Sequence, residues 1–345
     1  MVPEATTDTP LSDEPSPPGS GSGVAVRTRG RSTWALAGRL VAWLILLGLA
    51  VPVVLRILWA EVGPSAVIVS LLPWATVAAV AMTVVLLLAR WWSLLVIAAL
   101  LSLVGLAWLV PLYVPAADPP LLRRVSIATV NTLYGHGDAA QIVAMVRAHD
   151  LDLLSVQELT LGEYEALTAA GLGQLMPYHR AKPAKGASGT GLWSREPLTD
   201  VVESDLTVFA LVEATTETRS GLAVRAVAAH SVAPDPFRSG AWRRDADVLY
   251  GVMKQALAQH PVVVLAGDLN ATLDNPPIRR LEELGLVDAV TAAGAGFLPT
   301  YPNDSGFFPV VAIDHVMARG LVARSVEVVS IDRSDHKALI TTMVG

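Results

Sequence analysis

The sequence predicts an α/β domain of two packed β-sheets with helices outside, preceded by a three-helix transmembrane region. Three long apolar stretches occupy the first third of the 345-residue chain. From Arg123 onward, short β-branched runs alternate with amphipathic segments. About eight or nine strands with few intervening helices are too many for a simple doubly wound sheet, so we expect two sheets packed face to face.

The three apolar stretches are each about 20 residues long, the length that an α-helix needs to cross ~30 Å of hydrocarbon. Between residues 40 and 114 the only charged side chains are those of Arg56, Glu61 and Arg90. Buried core helices of a soluble domain would not follow one another three times with so little charge. We therefore expect transmembrane helices at about 40–59, 67–88 and 92–113.

The flanking segments differ in composition from these stretches. Residues 1–32 are rich in Pro, Ser, Thr and Gly, and such a segment cannot bury enough surface to offset the entropy lost on ordering. We expect a disordered tail at 1–32, the transmembrane region at 33–114, a Pro-rich linker at 115–122 and the globular domain at 123–345.

The basic residues predict an orientation in the membrane. Arg27, Arg29, Arg31 and Arg39 precede the first apolar stretch, and Arg90 lies between the second and third. The positive-inside rule then places the N-terminus in the cytoplasm, and three crossings place the domain outside. We expect a multi-pass protein of the plasma membrane with the lipid bilayer as its partner. No feature of the sequence indicates an obligate protein partner.

Cysteine usage and charge narrow the chemistry. The chain has no cysteine, which excludes disulfides and thiolate metal sites. From Leu121 onward there are 19 basic and 25 acidic residues, a net charge of −6. Proteins that hold extended nucleic acid usually present a basic face, although a local basic patch can coexist with a net negative charge.

Polar clusters stand at the ends of the predicted strands, where a rigid sheet can aim side chains into a site. There are six of them, in the order Asn131, Gln157-Glu158, His230, Gly267-Asp268-Leu269-Asn270, Ile313-Asp314-His315 and Ser334-Asp335-His336. Carboxylate and amide oxygens suit Mg²⁺, Mn²⁺ or Ca²⁺ rather than zinc. Such a metal, with His and Asn donors beside it, is what phosphoryl transfer requires.

This ordered series resembles the endonuclease/exonuclease/phosphatase superfamily, which has the deoxyribonuclease I-like fold. The resemblance covers about Arg123 to Gly345, and the segments GTGLWSREPL (189–198) and PTYP (299–302) are also similar to family segments. It implies a four-layer sandwich of the α/β (α+β) class, with two mixed β-sheets face to face and helices outside. It also implies a hydrolase acting on ester bonds.

The resemblance further implies a metal site. Glu158 would ligate the metal, helped by Asn131 and Asp335. Some family members carry an additional acidic ligand two positions after the Asn, where this chain has Leu133. This departure favours one ion, Mg²⁺ or else Mn²⁺ or Ca²⁺, over two.

The same resemblance assigns five catalytic positions. Asp268 and Asn270 would position the attacking water and the phosphate. His336 would act as general base or as a hydrogen-bond donor in the transition state, held by Asp314, and His230 would contact the phosphate. Whether a histidine or Asp268 takes the proton stays open. His315 is expected to be structural.

The function expected from these residues is hydrolysis of a phosphodiester or phosphomonoester at a membrane. The substrate class is a lipid headgroup or a nucleic acid, and the tether favours lipid because it raises the local concentration of such a substrate. The alternative is a catalytically inactive, membrane-tethered binding protein with the same fold. The presence of Glu158, Asp268 and His336 together argues against it.

Overall fold

The computed structural model describes residues 29–117, 123–234, 239–303 and 308–345. By its internal contacts the chain divides into two units, 1–44 and 45–345. Residues 1–28 of the expected tail and 118–122 of the expected linker lie outside the described residues.

The N-terminal part is helical. Its elements are α1 (Arg29–Leu58), α2 (Pro64–Ser70), α3 (Leu72–Ala89), α4 (Trp92–Leu109) and a 3₁₀ turn (Val110–Tyr113). Three stretches are long and apolar enough to cross a membrane, Thr33–Leu58, Leu72–Ala89 and Trp92–Tyr113, and they suggest a membrane anchor. The chain reverses between α3 and α4 at Arg90, which has a left-handed φ of 59°. The second apolar helix thus begins at Leu72, and Val67 lies on the separate helix α2.

Two mixed six-stranded sheets form the middle of the domain. The first sheet has the order β11 (Val322–Ser330), β12 (Lys337–Val344), β1 (Arg124–Asn131), β2 (Leu153–Gln157), β4 (Thr190–Ser194), β3 (Tyr178–Lys182). The second has the order β5 (Leu198–Ser204), β6 (Leu211–Glu217), β7 (Ala223–His230), β8 (Val263–Asp268), β10 (Asp314–Arg319), β9 (Val287–Asp288). The helices of the domain are α5 (Ala139–Ala148), α6 (Leu161–Ala169), α7 (Leu172–Leu175), α8 (Ser239–Gln259), α9 (Pro276–Glu283) and α10 (Ala289–Ala293).

Three hydrophobic clusters hold these layers together. Between the sheets, Ile127 and Leu153 pack in one cluster with Val264. A second cluster includes Met253 of α8 and covers the outer face of the second sheet, and a third includes Ile142 of α5 and covers that of the first. Each sheet is apolar on both faces and therefore must be covered on both. The predicted four-layer sandwich is confirmed.

The described residues contain twelve strands rather than eight or nine. The apolar, β-branched runs of the sequence predict strands at 125–130, 151–156, 191–194, 222–229, 262–266, 311–317, 326–329 and 338–343, and each coincides with a strand. The strands that these runs did not predict are β3, β5, β6 and β9. β3 (YHRAK) and β5 (LTDVVES) are edge strands with partly exposed polar residues, and β9 has two residues, so none of them carries a continuous apolar run. These segments are strands because their backbones hydrogen-bond to neighbouring strands, which the local sequence does not reveal.

One edge of the sandwich collects the polar strand ends. β1 and β2 run parallel, as do β7 and β8, so all four end at this edge. β10 runs antiparallel to β8 and begins there, which places Asp314 opposite Asp268 in the ladder, and Asp268 opposite His230. β12 begins at the same edge, directly after His336, because it is antiparallel to β1.

Candidate active site

The eight predicted site residues converge at this edge. Six of them line one cleft of about 620 Å³: Glu158, His230, Asp268, Asn270, Asp335 and His336. The other two, Asn131 and Asp314, lie directly behind and bond to residues that line the cleft.

Asp268 is the hub of the hydrogen bonds in the cleft. Its Oδ2 accepts from Asn131 Nδ2 at 3.0 Å, and its Oδ1 accepts from the backbone N–H of Asn270 at 2.9 Å. The Nε2 atoms of His230 and His336 lie 3.5 and 3.7 Å from Oδ2. Burial alone would raise the pKa of this carboxyl, but the two histidines and the Asn270 N–H outweigh burial and hold the pKa low, at about 2. Asp268 is therefore an anion at neutral pH.

Close packing between β7 and β8 explains the glycine that precedes Asp268. A Cβ atom at Gly267 would overlap the carbonyl oxygen of Ala229 on the parallel strand. Only glycine lets the two strands approach so closely.

His336 and Asp314 form a buried pair. Nδ1 of His336 donates to Oδ2 of Asp314 at 2.8 Å, and Nε2 faces the cleft with Asp268 and Asp335 nearby. Burial would lower the pKa of the imidazole, but the carboxylates of Asp314 and Asp268 outweigh it and raise the pKa to about 10. His336 thus presents a charged N–H donor to the cleft. The ring lies against Tyr301, with 4.8 Å between the ring centroids.

His230 is fixed on the other side of Asp268. Its Nδ1 lies 3.1 Å from the carbonyl oxygen of Ala187, and a carbonyl can only accept, so this nitrogen carries a proton. Nε2 consequently faces Asp268 and the side-chain amide of Asn270. Phe209 stacks on the imidazole with 4.4 Å between the ring centroids.

Glu158 lies in the same cleft, on a strained backbone. Its φ of 56° and that of Asn270, 47°, are left-handed, a conformation that non-glycine residues hold only where the surroundings impose it. Oε1 of Glu158 accepts from Asn131 Nδ2 at 3.2 Å, and Oε2 accepts from the backbone N–H of Tyr134 at 2.8 Å. Asn131 therefore bridges the carboxylates of Glu158 and Asp268.

The cleft fits a divalent cation. Burial raises the pKa of Asp335, and the carboxylates of Glu158 and Asp268 raise it further against the opposing charge of His336. Carboxylates that repel one another in this way are what a hard cation would relieve. Asp268, Asp314 and His336 also place ligand atoms within 4.8 Å of one another. Nδ1 of His336 is already bonded to Asp314, however, so the Glu158 side, with Asn131, is the better cation site.

The structure also brings residues into the cleft that are not among the eight predicted site residues. Tyr301, from the PTYP segment, and Phe209 line the cleft beside the two histidines, and so do Val67 and Ser70 of α2. The PTYP motif was a signal for Tyr301, whereas nothing in an apolar run distinguishes Val67. His315, by contrast, points away: its Nδ1 bonds Asp288 at 2.8 Å and its Nε2 donates to the carbonyl of Ala271 at 2.8 Å.

Solved structures share this fold. An endonuclease/exonuclease/phosphatase from Beutenbergia cavernae is 21% identical and matches over 65% of this chain and 72% of its own, with a TM-score of 0.51. A humanized D. rerio TDP2 is 15% identical over 64% of this chain and 98% of its own, with a TM-score of 0.52. A functionally unknown conserved protein from Enterococcus faecalis is 16% identical over 64% of this chain and 100% of its own, also with a TM-score of 0.52.

No curated protein matches the chain in sequence. The family model described as the Endonuclease/Exonuclease/phosphatase family matches residues 128–336, which is more than half of the chain and extends from within β1 to His336. The chain therefore belongs to the endonuclease/exonuclease/phosphatase family, as a hydrolase of phosphoester bonds.

Proposed function

We propose that the chain is a membrane-anchored, divalent-metal-dependent phosphodiesterase whose domain lies outside the cytoplasm. The observation that carries this proposal is the convergence of Glu158, Asp268, Asn270 and His336 on one cleft, with Asn131 and Asp314 bonded behind them. A protein that only bound a ligand would have no need for two buried carboxylate–histidine contacts aimed into one cavity.

Glu158, Asn131 and Asp335 would hold one ion, Mg²⁺ by the chemistry of their oxygens, with Mn²⁺ or Ca²⁺ as alternatives. A bound cation supplies charge neutralisation for the phosphate. Asn131 keeps the carboxylate of Glu158 in place, because its amide spans from Oε1 to Asp268. Tyr134 contributes its backbone N–H to the other oxygen of Glu158.

The reaction is addition of water across a phosphoester bond. The oxygen of water forms a bond to phosphorus, the bond to one ester oxygen breaks, and that oxygen leaves as an alcohol after taking up a proton from the solvent. We assign acceptance of the water proton to Asp268, which is an anion oriented by Asn131 and Asn270. His336 lies between Asp314 and Asp268, so it is held as a double donor and donates Nε2–H to a phosphoryl oxygen.

His230 and Asn270 would contact the phosphate from the opposite side. Nδ1 of His230 is engaged with Ala187, which directs Nε2 into the cleft. Asn270 is held by its donation to the carbonyl of Ser231 at 2.9 Å. The donors fixed before the reaction are the side-chain amide of Asn270 and the Nε2–H of His336; they need no reorganisation as charge develops on the phosphoryl oxygens, and each is worth about 10²–10³-fold in rate.

The experiment uses the full chain in detergent micelles with bis(p-nitrophenyl) phosphate. We expect hydrolysis with Mg²⁺ or Mn²⁺ that stops on addition of EDTA and is lost in Glu158→Gln and His336→Gln. Full activity in either variant would show that the replaced residue is not needed for hydrolysis and would refute its assignment to the site. Folded wild-type protein that hydrolyses no phosphoester with any of the three cations would favour the alternative, an inactive binding protein.

The orientation has its own test. Four arginines before the first apolar stretch support a cytoplasmic N-terminus. A reporter enzyme that works only outside the cytoplasm should be active when fused after Gly345, and one that works only in the cytoplasm should be inactive there. A fusion that is active only in the cytoplasm would reverse the orientation.

A further inference from the structure

The segment between the first two apolar helices is built into the catalytic domain. Ala66 of α2 is fully buried in the hydrophobic cluster that also contains Trp242 and Leu265. Asn275 fastens the segment: its Nδ2 donates to Glu61 Oε2 at 2.8 Å and to the carbonyl of Ala66 at 3.1 Å. Its Oδ1 accepts from Ser70 at 2.9 Å. The anchor and the domain are therefore joined by packing as well as by the chain.

This segment forms one wall of the catalytic cleft. Val67 and Ser70 line the same cavity as Asp268 and His336. Ser70 is two residues before Leu72, where the apolar helix α3 begins. From Val67 to the start of α3 at Leu72 the chain has three residues of helix and two of extended backbone, which together span at most about 12 Å. One headgroup layer of a bilayer is about 5–8 Å thick, so this wall of the cleft lies at or just above the headgroups.

The wall of the cleft that contains Val311 is also held close to the start of α3, and therefore close to the headgroups. Trp74, in the first turn of α3, donates from Nε1 to the carbonyl oxygen of Val310 at 2.8 Å. Its ring packs against Phe297 and Phe308, with centroid distances of 5.9 and 6.0 Å. Val311, the residue after Val310, lines the cleft. A tryptophan at the end of a membrane helix marks the interface between lipid and water.

The mouth between these walls is apolar and the interior is polar. Val67 is 50% exposed and Leu71, four residues later, is also exposed; Phe308, whose ring packs against Trp74, is 69% exposed. Exposed apolar side chains in a cluster mark a surface that meets lipid or another apolar partner. Among the described residues that line the cleft there is neither Lys nor Arg, the residues that grip a nucleic-acid backbone.

From this arrangement we propose that the substrate is a phospholipid of the bilayer that holds the anchor. Its headgroup phosphodiester enters the cleft between α2 and the Val310 loop, while its acyl chains stay in the membrane next to Val67 and Phe308. The proposal rests on the proposed phosphodiesterase function and names the substrate class of that site. The anchor is then part of the substrate-binding surface, in addition to being a tether.

The test uses the full chain reconstituted in phosphatidylcholine vesicles that contain phosphatidylglycerol, phosphatidylethanolamine, phosphatidylinositol and sphingomyelin. Phosphorus NMR and mass spectrometry follow every phosphorus-containing product. Bis(p-nitrophenyl) phosphate and single-stranded DNA and RNA oligonucleotides are supplied to the same vesicles. The wild type should hydrolyse at least one phospholipid at least tenfold faster than either oligonucleotide.

The double variant Val67→Ser/Phe308→Ser removes the apolar mouth without adding charge. We expect the ratio of phospholipid hydrolysis to soluble-diester hydrolysis to fall at least about tenfold, since each side chain contributes apolar contact. The matched control is Val62→Ser/Val287→Ser, two valines that are each 45% exposed and lie outside the cleft, and its ratio should equal that of the wild type.

Three results would overturn the inference. One is hydrolysis of the soluble diester with no phospholipid consumed, which leaves the phosphodiesterase function standing. Another is faster hydrolysis of an oligonucleotide than of any phospholipid, and the third is an unchanged ratio in the double variant. If the soluble diester is not hydrolysed either, the inference falls together with the proposed function.

Discussion

Replacing Asp314 by Asn should separate the charge of this residue from its shape. Asn has the same volume and can still accept the proton of His336 Nδ1, which Asp314 accepts at 2.8 Å. Both side chains of the pair are almost fully buried, so the charge is poorly screened. The change removes the larger of the two negative charges that raise the pKa of His336.

The magnitude follows from the pKa of His336. A rise from 6.5 to about 10 corresponds to roughly 5 kcal/mol in favour of the imidazolium. Asp314 is the largest of the charges that raise this pKa, and Asp268 is the next. In Asp314→Asn, His336 loses the neighbouring charge that holds and polarises its Nε2–H, and weakening one such fixed donor should lower kcat by about 10²-fold, with little change in KM.

The chain contains a matched control one residue away. His315 and Asp288 form a second buried pair at the same distance, 2.8 Å, but both ring nitrogens of His315 are engaged inside the domain. Asp288→Asn should lower the melting temperature and leave kcat per folded molecule unchanged. The assay is steady-state hydrolysis of bis(p-nitrophenyl) phosphate by the full chain in detergent, corrected for the folded fraction. A kcat for Asp314→Asn within threefold of the wild type, or an equal loss in both variants, would refute the reasoning.

Three further predictions concern other residues. Burial raises the pKa of Glu61 from 4.5 to about 7, so the contribution of this residue to stability is full below about pH 4.5 and is lost as the pH rises through about 7. Glu61→Gln should therefore stabilise the protein by up to roughly 3 kcal/mol at pH 8 and leave its stability unchanged near pH 4.5, as thermal unfolding measured across this pH range would check. Gly267→Ala should prevent folding or lower the stability by more than about 3 kcal/mol, whereas Gly251→Ala on α8, where there is open space around the glycine, should be neutral or slightly stabilising. Equal melting temperatures for the two variants would contradict this prediction. Phe209→Ala should lower kcat/KM by up to about tenfold by releasing His230, with rescue by Phe209→Tyr; a failure of Tyr to rescue would show that stacking is not the cause.

The candidate site was accessible from sequence because its residues follow strands directly. Asn131 and His230 end strands that are buried at every residue but the first, so a polar side chain there needs a reason other than folding. Parallel pairing then brings such ends to one edge. The geometric convergence of the eight residues agrees with this expectation, while their roles stay predictions. The strands β3 and β5 were not predicted because polar edge strands have no sequence pattern of their own.

The sequence by itself determined the apolar helices, the family and the residues that meet in the cleft. These follow from local composition and from short motifs, which depend on a few neighbouring residues. Only the tertiary structure decided that Asp314 bonds His336 whereas its neighbour His315 turns to Asp288, because successive residues of a strand point to opposite faces and only the packing shows what each face meets. It also decided that Val67 lines the cleft, since the contact between α2 and the domain joins residues some two hundred positions apart.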